Sequence, residues 1–352
     1  MVRFAGFRRQ AAVLTAGALS IALSSGQTYH LTDLGTPGVT SYANGINSWG
    51  EVVGMNENHA FFYDGTMHDI GTLGSGLASA ANGINDDDLI VGYSTFEVGN
   101  SDTHAFRYDG SLHDLGTLPG SNSSVAYGVN AGGLVVGNSD SRAFLYDGTM
   151  HDLGTFGDRA SGAGAVNSDG KVVGWAENSS GRFHAFLYDG VRHDIGSSFD
   201  GDTTASAISD SGLIVGDALS GGVDLAATFE NGEVHTLGTL GGPSSSAADV
   251  NGSGLIVGTS FTAHQGSHAF LYEGSTMLDL NDLLDTSLPE GWKLREANAI
   301  NSNGWIVGDI ADDVTGEVHA VLLTPVPEPT SLIALGLGTL LTWASVRRGN
   351  SR

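Results

Sequence analysis

The sequence predicts an all-β fold, a seven-bladed β-propeller of four-stranded blades, and three observations carry that prediction. A phrase, His-Ala-Phe-Leu-Tyr-Asp-Gly, recurs with drift from His59, His104, Arg142, His184, Ala226, His268 and His319, in steps of 45, 38, 42, 42, 42 and 51 residues. Each copy travels with other phrases in fixed order, so that a repeated unit of roughly 42 residues holds four stretches of strand character. Glycine is the commonest residue, 53 of 352, and charged residues make up only 15%, which suits short strands and tight turns better than helices.

The elements follow in order. The first stretch is His-Asp-Leu-Gly-Thr or a variant, at Met67 to Thr72, Leu112 to Thr117, Met150 to Thr155 and Arg192 to Gly196. The second is rich in small residues and ends in Gly-Ile-Asn or Gly-Val-Asn, as in Ala78 to Asn85 and Ser123 to Asn130. The third is Gly-x-Val-Val-Gly, at Gly50 to Gly54, Gly133 to Gly137 and Gly170 to Gly174, and the fourth is the His-Ala-Phe phrase. Asn-x-x-Gly separates the second stretch from the third, since Asn bonds its own turn and Gly accepts a left-handed backbone. Asp88 replaces that Gly once, at a cost of up to roughly 1 kcal/mol. Asp-Gly, from Asp64-Gly65 to Asp189-Gly190, joins the fourth stretch to the next first one as a two-residue hairpin turn.

Closure is readable at the ends of the array. The chain enters on a lone first strand, Tyr29 to Gly35, and leaves on a lone fourth strand, His319 to Leu323, so the strand types balance only when the ends share a blade. That pairing removes the exposed edges of an open array. From the axis outward the order is then Gly-Ile-Asn, Val-Val-Gly, His-Ala-Phe, Asp-Leu-Gly, which puts the small residues at the crowded centre.

Eleven of the 12 histidines fall within the repeated phrases, and a residue used in most blades is expected to pack or hydrogen-bond between blades rather than catalyse. His264 is the exception. The Asp-rich turns at Asn85 to Asp88, Asp200 to Asp202 and Asp312-Asp313 could offer oxygen ligands to calcium, but none has a full calcium-loop spacing; no other cofactor and no metal ligand set is expected. Nucleophile elbow, zinc and phosphate-loop motifs are missing, so no catalytic residue is assigned. The loops between third and fourth stretches vary from Met55 to Asn58 up to Tyr93 to Thr103, and by alternation share one face with the connections between blades. Variable loops are where ligands are met. Their candidate contacts are Phe96, Glu97, Trp175, Phe183, Phe261 and His264, with Trp292 from the insertion Asp285 to Glu296.

The ends flank one domain, residues 27–325, with a different chemistry. Residues 1–26 carry Arg3, Arg8 and Arg9, an apolar run from Ala11 to Leu23 and then Ser24-Ser25-Gly26, the order of a secretory signal peptide. In residues 326–352, Val326-Pro327-Glu328-Pro329 precedes an apolar stretch from Ser331 to Val346 and then Arg347-Arg348. Sixteen residues at 1.5 Å make a marginal membrane span of about 24 Å, which the arginines would orient. Between the two ends stand 38 acidic against 8 basic residues, an excess that disfavours nucleic acid and anionic surfaces as partners. Cysteine is absent, so neither disulfides nor thiol chemistry is available.

Two resemblances follow from these residues. Pro327-Glu328-Pro329, the short span and Arg347-Arg348 resemble the PEP-CTERM sorting signal of Gram-negative bacteria that make exopolysaccharide. That likeness implies processing by an exosortase-type membrane peptidase, transient anchoring in the inner membrane, and delivery to the envelope or matrix. The phrases His-Ala-Phe-Leu-Tyr-Asp-Gly and Gly-Ile-Asn-x-x-Gly-x-Val-Val-Gly resemble the HAF repeat of bacterial extracellular proteins, which implies a secreted propeller-like protein and carries no catalytic residues to transfer. The expected function is a non-enzymatic binding or scaffolding propeller for exopolysaccharide or surface proteins. The alternative is a polysaccharide hydrolase or lyase with acids at one mouth of the channel.

Overall fold

The computed structural model describes residues 27–327, apart from Val98, Asn100, Asp158 and Gln265. The expected signal peptide, residues 1–26, and, in the expected sorting segment, Glu328, Pro329, Arg347 and Arg348 lie outside the described residues; no helix among those described is long and apolar enough to cross a membrane. The described residues form seven antiparallel four-stranded sheets. Blade 1 runs outward through Ser41–Ile46, Val52–Asn56, His59–Tyr63 and Met67–Gly71. Blades 2 to 6 repeat that order over residues 79–116, 124–152, 161–194, 202–236 and 241–279. Blade 7 combines Trp292–Ile300, Ile306–Asp312 and Val318–Pro325 with the entering strand Tyr29–Asp33, which pairs antiparallel from Tyr29↔Pro325 to Asp33↔Val321. The propeller is therefore closed by its own N-terminus, as the strand count requires.

Each phrase has its own physical job. The Ala and Phe of His-Ala-Phe are buried, Phe61, Phe106, Phe144, Phe186 and Phe270 completely so. They fill cores that lie between blades: Val53, Ala60, Ile70 and Leu73 of blade 1 pack on Ala81, Ile84, Ile90 and Phe106 of blade 2. Burying one such aromatic contributes about 1.5–3 kcal/mol. The Gly closing Val-Val-Gly has a different reason. Every inner strand bulges opposite it, as between Ala43 and Gly45, and a Cβ on Gly54 would fall 1.9 Å from the Tyr42 carbonyl oxygen, with equivalent clashes of 1.9 to 2.1 Å at Gly92, Gly137, Gly174, Gly216, Gly258 and Gly308.

Polar side chains stitch neighbouring blades. The hydroxyls of Ser41, Ser79, Ser124, Ser161, Thr203 and Ser245, at the start of inner strands, accept the main-chain N–H of Ala320, Ala60, Ala105, Ala143, Ala185 and Ala226 in the preceding blade at 2.8 to 3.0 Å. At the other end of those strands the Asn of Gly-Ile-Asn caps its own turn, as expected. Its carboxamide N–H also donates to the matching carbonyl of the next blade: Asn47 to Asn85, Asn85 to Asn130, Asn130 to Asn167, Asn167 to Ser209, Asn251 to Asn301 and Asn301 to Asn47, at 2.9 to 3.3 Å. Ser209 breaks this ring between blades 5 and 6.

Two expectations need correction. The Asp-Gly turn is a three-residue loop in blades 1 to 4, because Tyr63 pairs with Met67 and Asp64 accepts the Thr66 N–H as well as supplying the turn. Only blades 5 and 6 use two residues, Asn231-Gly232 and Gly274-Ser275, all at positive φ. The fifth phrase is displaced as well: Gly216 pairs with Ala227 as Gly54 pairs with Phe61, so the copy begins at Leu225 rather than Ala226, one residue further from its turn than in blades 1 to 4.

Candidate functional site

The repeated histidines join strands within a blade, not blades to each other as expected. In the third strand, the Nδ1 of His59, His104, His184, His268 and His319 meets Asp69, Asp114, Asp194, Asp279 and Asp33 of the outer strand at 2.6 to 2.9 Å. The carboxylate does double duty, since Asp69 and Asp114 also accept the N–H of Gly71 and Gly116 at 2.7 Å. A second set, His68, His113, His151 and His193, reaches back to the turn acids Asp64, Asp109, Asp147 and Asp189, and each imidazole holds its carboxyl below the usual carboxylate range.

The variable loops and the connections between blades do share one face: the connection through Gly76 packs on the Thr95 carbonyl, and Ser75 donates to Phe96. The candidate aromatics lie on this face but are divided among blades 2, 4, 6 and 7. Phe96, partly exposed beside exposed Glu97, stacks on His104 at 5.3 Å. Trp175 and Phe183 are the one pair brought together, edge to face at 5.1 Å, and Trp292 tilts over His319 at 4.9 Å. Trp175, Phe183, Phe261 and Trp292 stand at strand positions rather than in loops, because the strands of these blades extend into the variable region. His264 is exposed in the blade 6 loop.

Sequence reasoning passed over blade 1. There the loop is only Glu57 and Asn58, with Glu57 at φ 54°, and a groove of about 460 Å³ opens beside it. Its lining includes Asn56, His59, Met67, Asp69 and Leu77. The signal was the brevity of Met55 to Asn58. On the opposite face a shallower depression of about 530 Å³ lies between blades 4 and 5, floored by Leu187, Leu213 and Phe229.

Acids deep in the structure are tied to the main chain. Asp309 Oδ1 accepts the Ala43 N–H of blade 1 at 3.0 Å, Asp249 the Ile300 N–H of blade 7 at 2.8 Å, and Asp217 the Ala247 N–H of blade 6 at 3.2 Å. Desolvation pushes their carboxyls up to about 7, 6 and 6. Glu51 is raised to about 7 by burial and by a hydrogen bond to Asp88. In the Asp-rich turns the acids cap backbone, Asp86 at Ser48, Asp202 at Phe183 and Asp312 at Val314. Among the described residues no three His, Asp or Glu side chains group as ligands for a metal.

No protein-family profile matches the chain, and no characterised protein matches it in sequence. Solved structures show a distant likeness. TolB from Acinetobacter baumannii is 14% identical with a TM-score of 0.44 over 68% of this chain and 64% of that one. Trypanosoma rangeli sialidase is 12% identical with a TM-score of 0.40 over 80% and 59%. A variant of Aleuria aurantia lectin solved with alpha-methyl-L-fucoside is 13% identical with a TM-score of 0.34 over 75% and 97%. The chain thus spans less than two thirds of the first two.

Proposed function

We propose that the chain is an exported propeller displayed at the cell envelope or in the extracellular matrix of a Gram-negative bacterium, sorted by an exosortase-type peptidase acting at Pro327 to Pro329. Its variable face binds exopolysaccharide, and it does so without cleaving it. One observation carries this reading. The repeated His, Asp, Asn and Ser side chains are engaged in holding strands and blades together, so chemical variety falls to the loops and extended strand ends of one face. The deeply buried acids support binding over cleavage, since each accepts a backbone N–H that fixes it in the framework.

The test is to incubate the purified protein with exopolysaccharide from the producing strain, following retention and the appearance of new reducing or unsaturated ends together. Retention without new ends is the expected result. New ends abolished by a single acid substitution at one channel mouth would overturn the non-enzymatic reading in favour of a hydrolase or lyase. An absence of retention would direct the search to surface proteins as partners.

A further inference from the structure

The seven quasi-equivalent positions that open the third strands, five of them His with Arg142 in blade 3 and Leu225 in blade 5, act as internal controls on one another. In blade 2 the imidazole of His104 is covered by Phe96. In blade 4 the His184 Nε2 is engaged by the Asn178 carboxamide at 3.2 Å, and in blade 7 His319 lies under Trp292 with its Nε2 on Glu317 at 3.0 Å. In blade 3, where the loop is as short as in blade 1, Arg142 replaces His; its guanidinium crosses to the Pro119 carbonyl at 2.8 Å and the Ser121 hydroxyl at 2.9 Å, occupying the space over the connection. Blade 1 does none of these. His59 is 44% exposed and Asp69 63%, against 13% and 30% for His184 and Asp194.

The uncovered pair looks into the blade 1 groove, and its hydrogen bonds leave one ring nitrogen unengaged. Asp69 accepts from His59 Nδ1 at 2.9 Å and from Gly71 N–H at 2.7 Å, so both of its oxygens are engaged. With Nδ1 donating, the neutral ring keeps Nε2 as an acceptor. Asn56 adds a carboxamide that the protein satisfies poorly: Nδ2 has the Met67 thioether at 3.3 Å, and Oδ1 is buried without a hydrogen-bond partner among the described residues. Leu77, 64% exposed, stands in the same lining.

We propose that this groove binds a neutral hexopyranose unit, with Nε2 of His59 accepting a sugar hydroxyl, the Asn56 carboxamide turning to bond a second, and Leu77 and Met67 against the apolar C–H face of the ring. The groove's volume falls in the range of small-ligand sites. Glu57 in its lining and the acidity of the domain exclude an anionic sugar. This inference rests on the polysaccharide-binding reading above and names its site.

The experiment titrates the purified protein with methyl glucoside, methyl galactoside and methyl mannoside, and with methyl glucuronide as the anionic probe, by ligand-observed NMR, alongside exopolysaccharide retention. The variants are Asn56→Ala and His59→Arg; the second copies blade 3, where the same strand carries Arg natively, and so keeps the fold. At least one neutral glycoside is expected to bind wild type and to weaken about ten-fold or more in both variants, with unchanged melting temperature. Equal binding to wild type and both variants would overturn the groove while leaving the polysaccharide reading intact. The same holds for a preference for the glucuronide, or for retention of exopolysaccharide without binding of any glycoside. Loss of both glycoside binding and retention in wild type would overturn the two together.

Discussion

Substituting Ser209→Asn should close the asparagine ring and stabilise the propeller. At six blade junctions a carboxamide N–H reaches the next blade's carbonyl; at the seventh, the Ser209 hydroxyl is too short and instead meets Ser211 at 2.8 Å and the Leu213 N–H at 3.1 Å. The local cap is not lost in the exchange, because Asn Oδ1 makes the same bond elsewhere, as Asn167 does to Lys171 N–H at 3.0 Å. The acceptor, the Asn251 carbonyl, takes only the Gly254 N–H of its own turn, an arrangement in which Asn301 accepts a second donor. One added neutral hydrogen bond in a site where Ser209 is 4% exposed is worth about 1 kcal/mol, or roughly 2 °C in melting temperature for a domain of this size. The reciprocal change, Asn130→Ala, removes a bond to Asn167 at 2.9 Å and a cap on Leu134 at 3.0 Å, and leaves the half-buried Leu134 N–H without that partner, for a loss of about 2 kcal/mol. Urea denaturation with unchanged m-value measures both. A neutral Ser209→Asn together with a harmless Asn130→Ala would refute the idea that the ring contributes to stability.

Three further outcomes follow from the same geometry. Gly174→Ala places a Cβ 1.9 Å from the Gly162 carbonyl, which cannot move without breaking the bulge, and should cost at least about 3 kcal/mol or prevent folding; circular dichroism and solubility would show it. Asp88→Gly should stabilise by roughly 1 kcal/mol, since Asp88 sits at φ 60° where other blades carry Gly, and by more at pH 8 than at pH 5, because the neighbouring Glu51 is then ionised; an equal gain at both pH values would argue against the carboxyl pair. Stability should fall as pH rises from 5 to 8. Asp217, Asp249 and Asp309 hold protons in the folded state that the unfolded chain has already released above its ordinary carboxyl pKa. Their contribution is therefore present at acid pH and lost as pH climbs through about 6 to 7. His319, raised by Asp33 and Glu317 against the opposing effect of its burial, acts in the same direction, whereas the lowered turn acids respond only below their ordinary value of 3.8. Asp309, facing Ala43, Asn298 and Glu296, dominates, so Asp309→Asn should flatten the melting-temperature profile, and an unchanged slope would show that the effect lies elsewhere.

What the sequence revealed, and what it hid, divides along a physical line. Period, strand order and closure were legible because each rests on local chemistry repeated seven times: alternation in Val-Val-Gly, turn glycines, and an unbalanced strand at each end. The fifth register lies one residue from where Ala226-Ala-Thr-Phe imitates the phrase, because the strand runs one residue further, through Glu230, before its Asn231-Gly232 turn. The Asn carboxamide was legible as a turn cap but not as a link between blades, since its second partner is 37 to 50 residues away or, at the closure, 254. The candidate site divides similarly. Aromatics could be assigned to a face, yet that Phe96 and Trp292 lie over His104 and His319 is a tertiary fact. The groove of blade 1 is subtler, because it is made by what its short loop fails to cover.

The path of the chain through blade 7 bears on how such a groove would be presented. The third strand of that blade, Val318–Pro325, starts from the loop holding Glu317 on the variable face and ends at the opposite face. There the Val326 N–H bonds the Thr28 carbonyl at 2.8 Å, and Gln27 reaches the Val326 carbonyl at 3.0 Å, so the two ends of the described chain leave side by side. On the proposed reading, the signal peptide is removed and the sorting segment begins at one spot on the face away from the variable loops. A membrane tether attached after Pro327 would then hold the opposite face, with its asparagine ring, toward the lipid. The variable face would stay open to solvent whether the protein is anchored or released, so processing at Pro327 to Pro329 would change where the protein travels without uncovering or blocking what it binds.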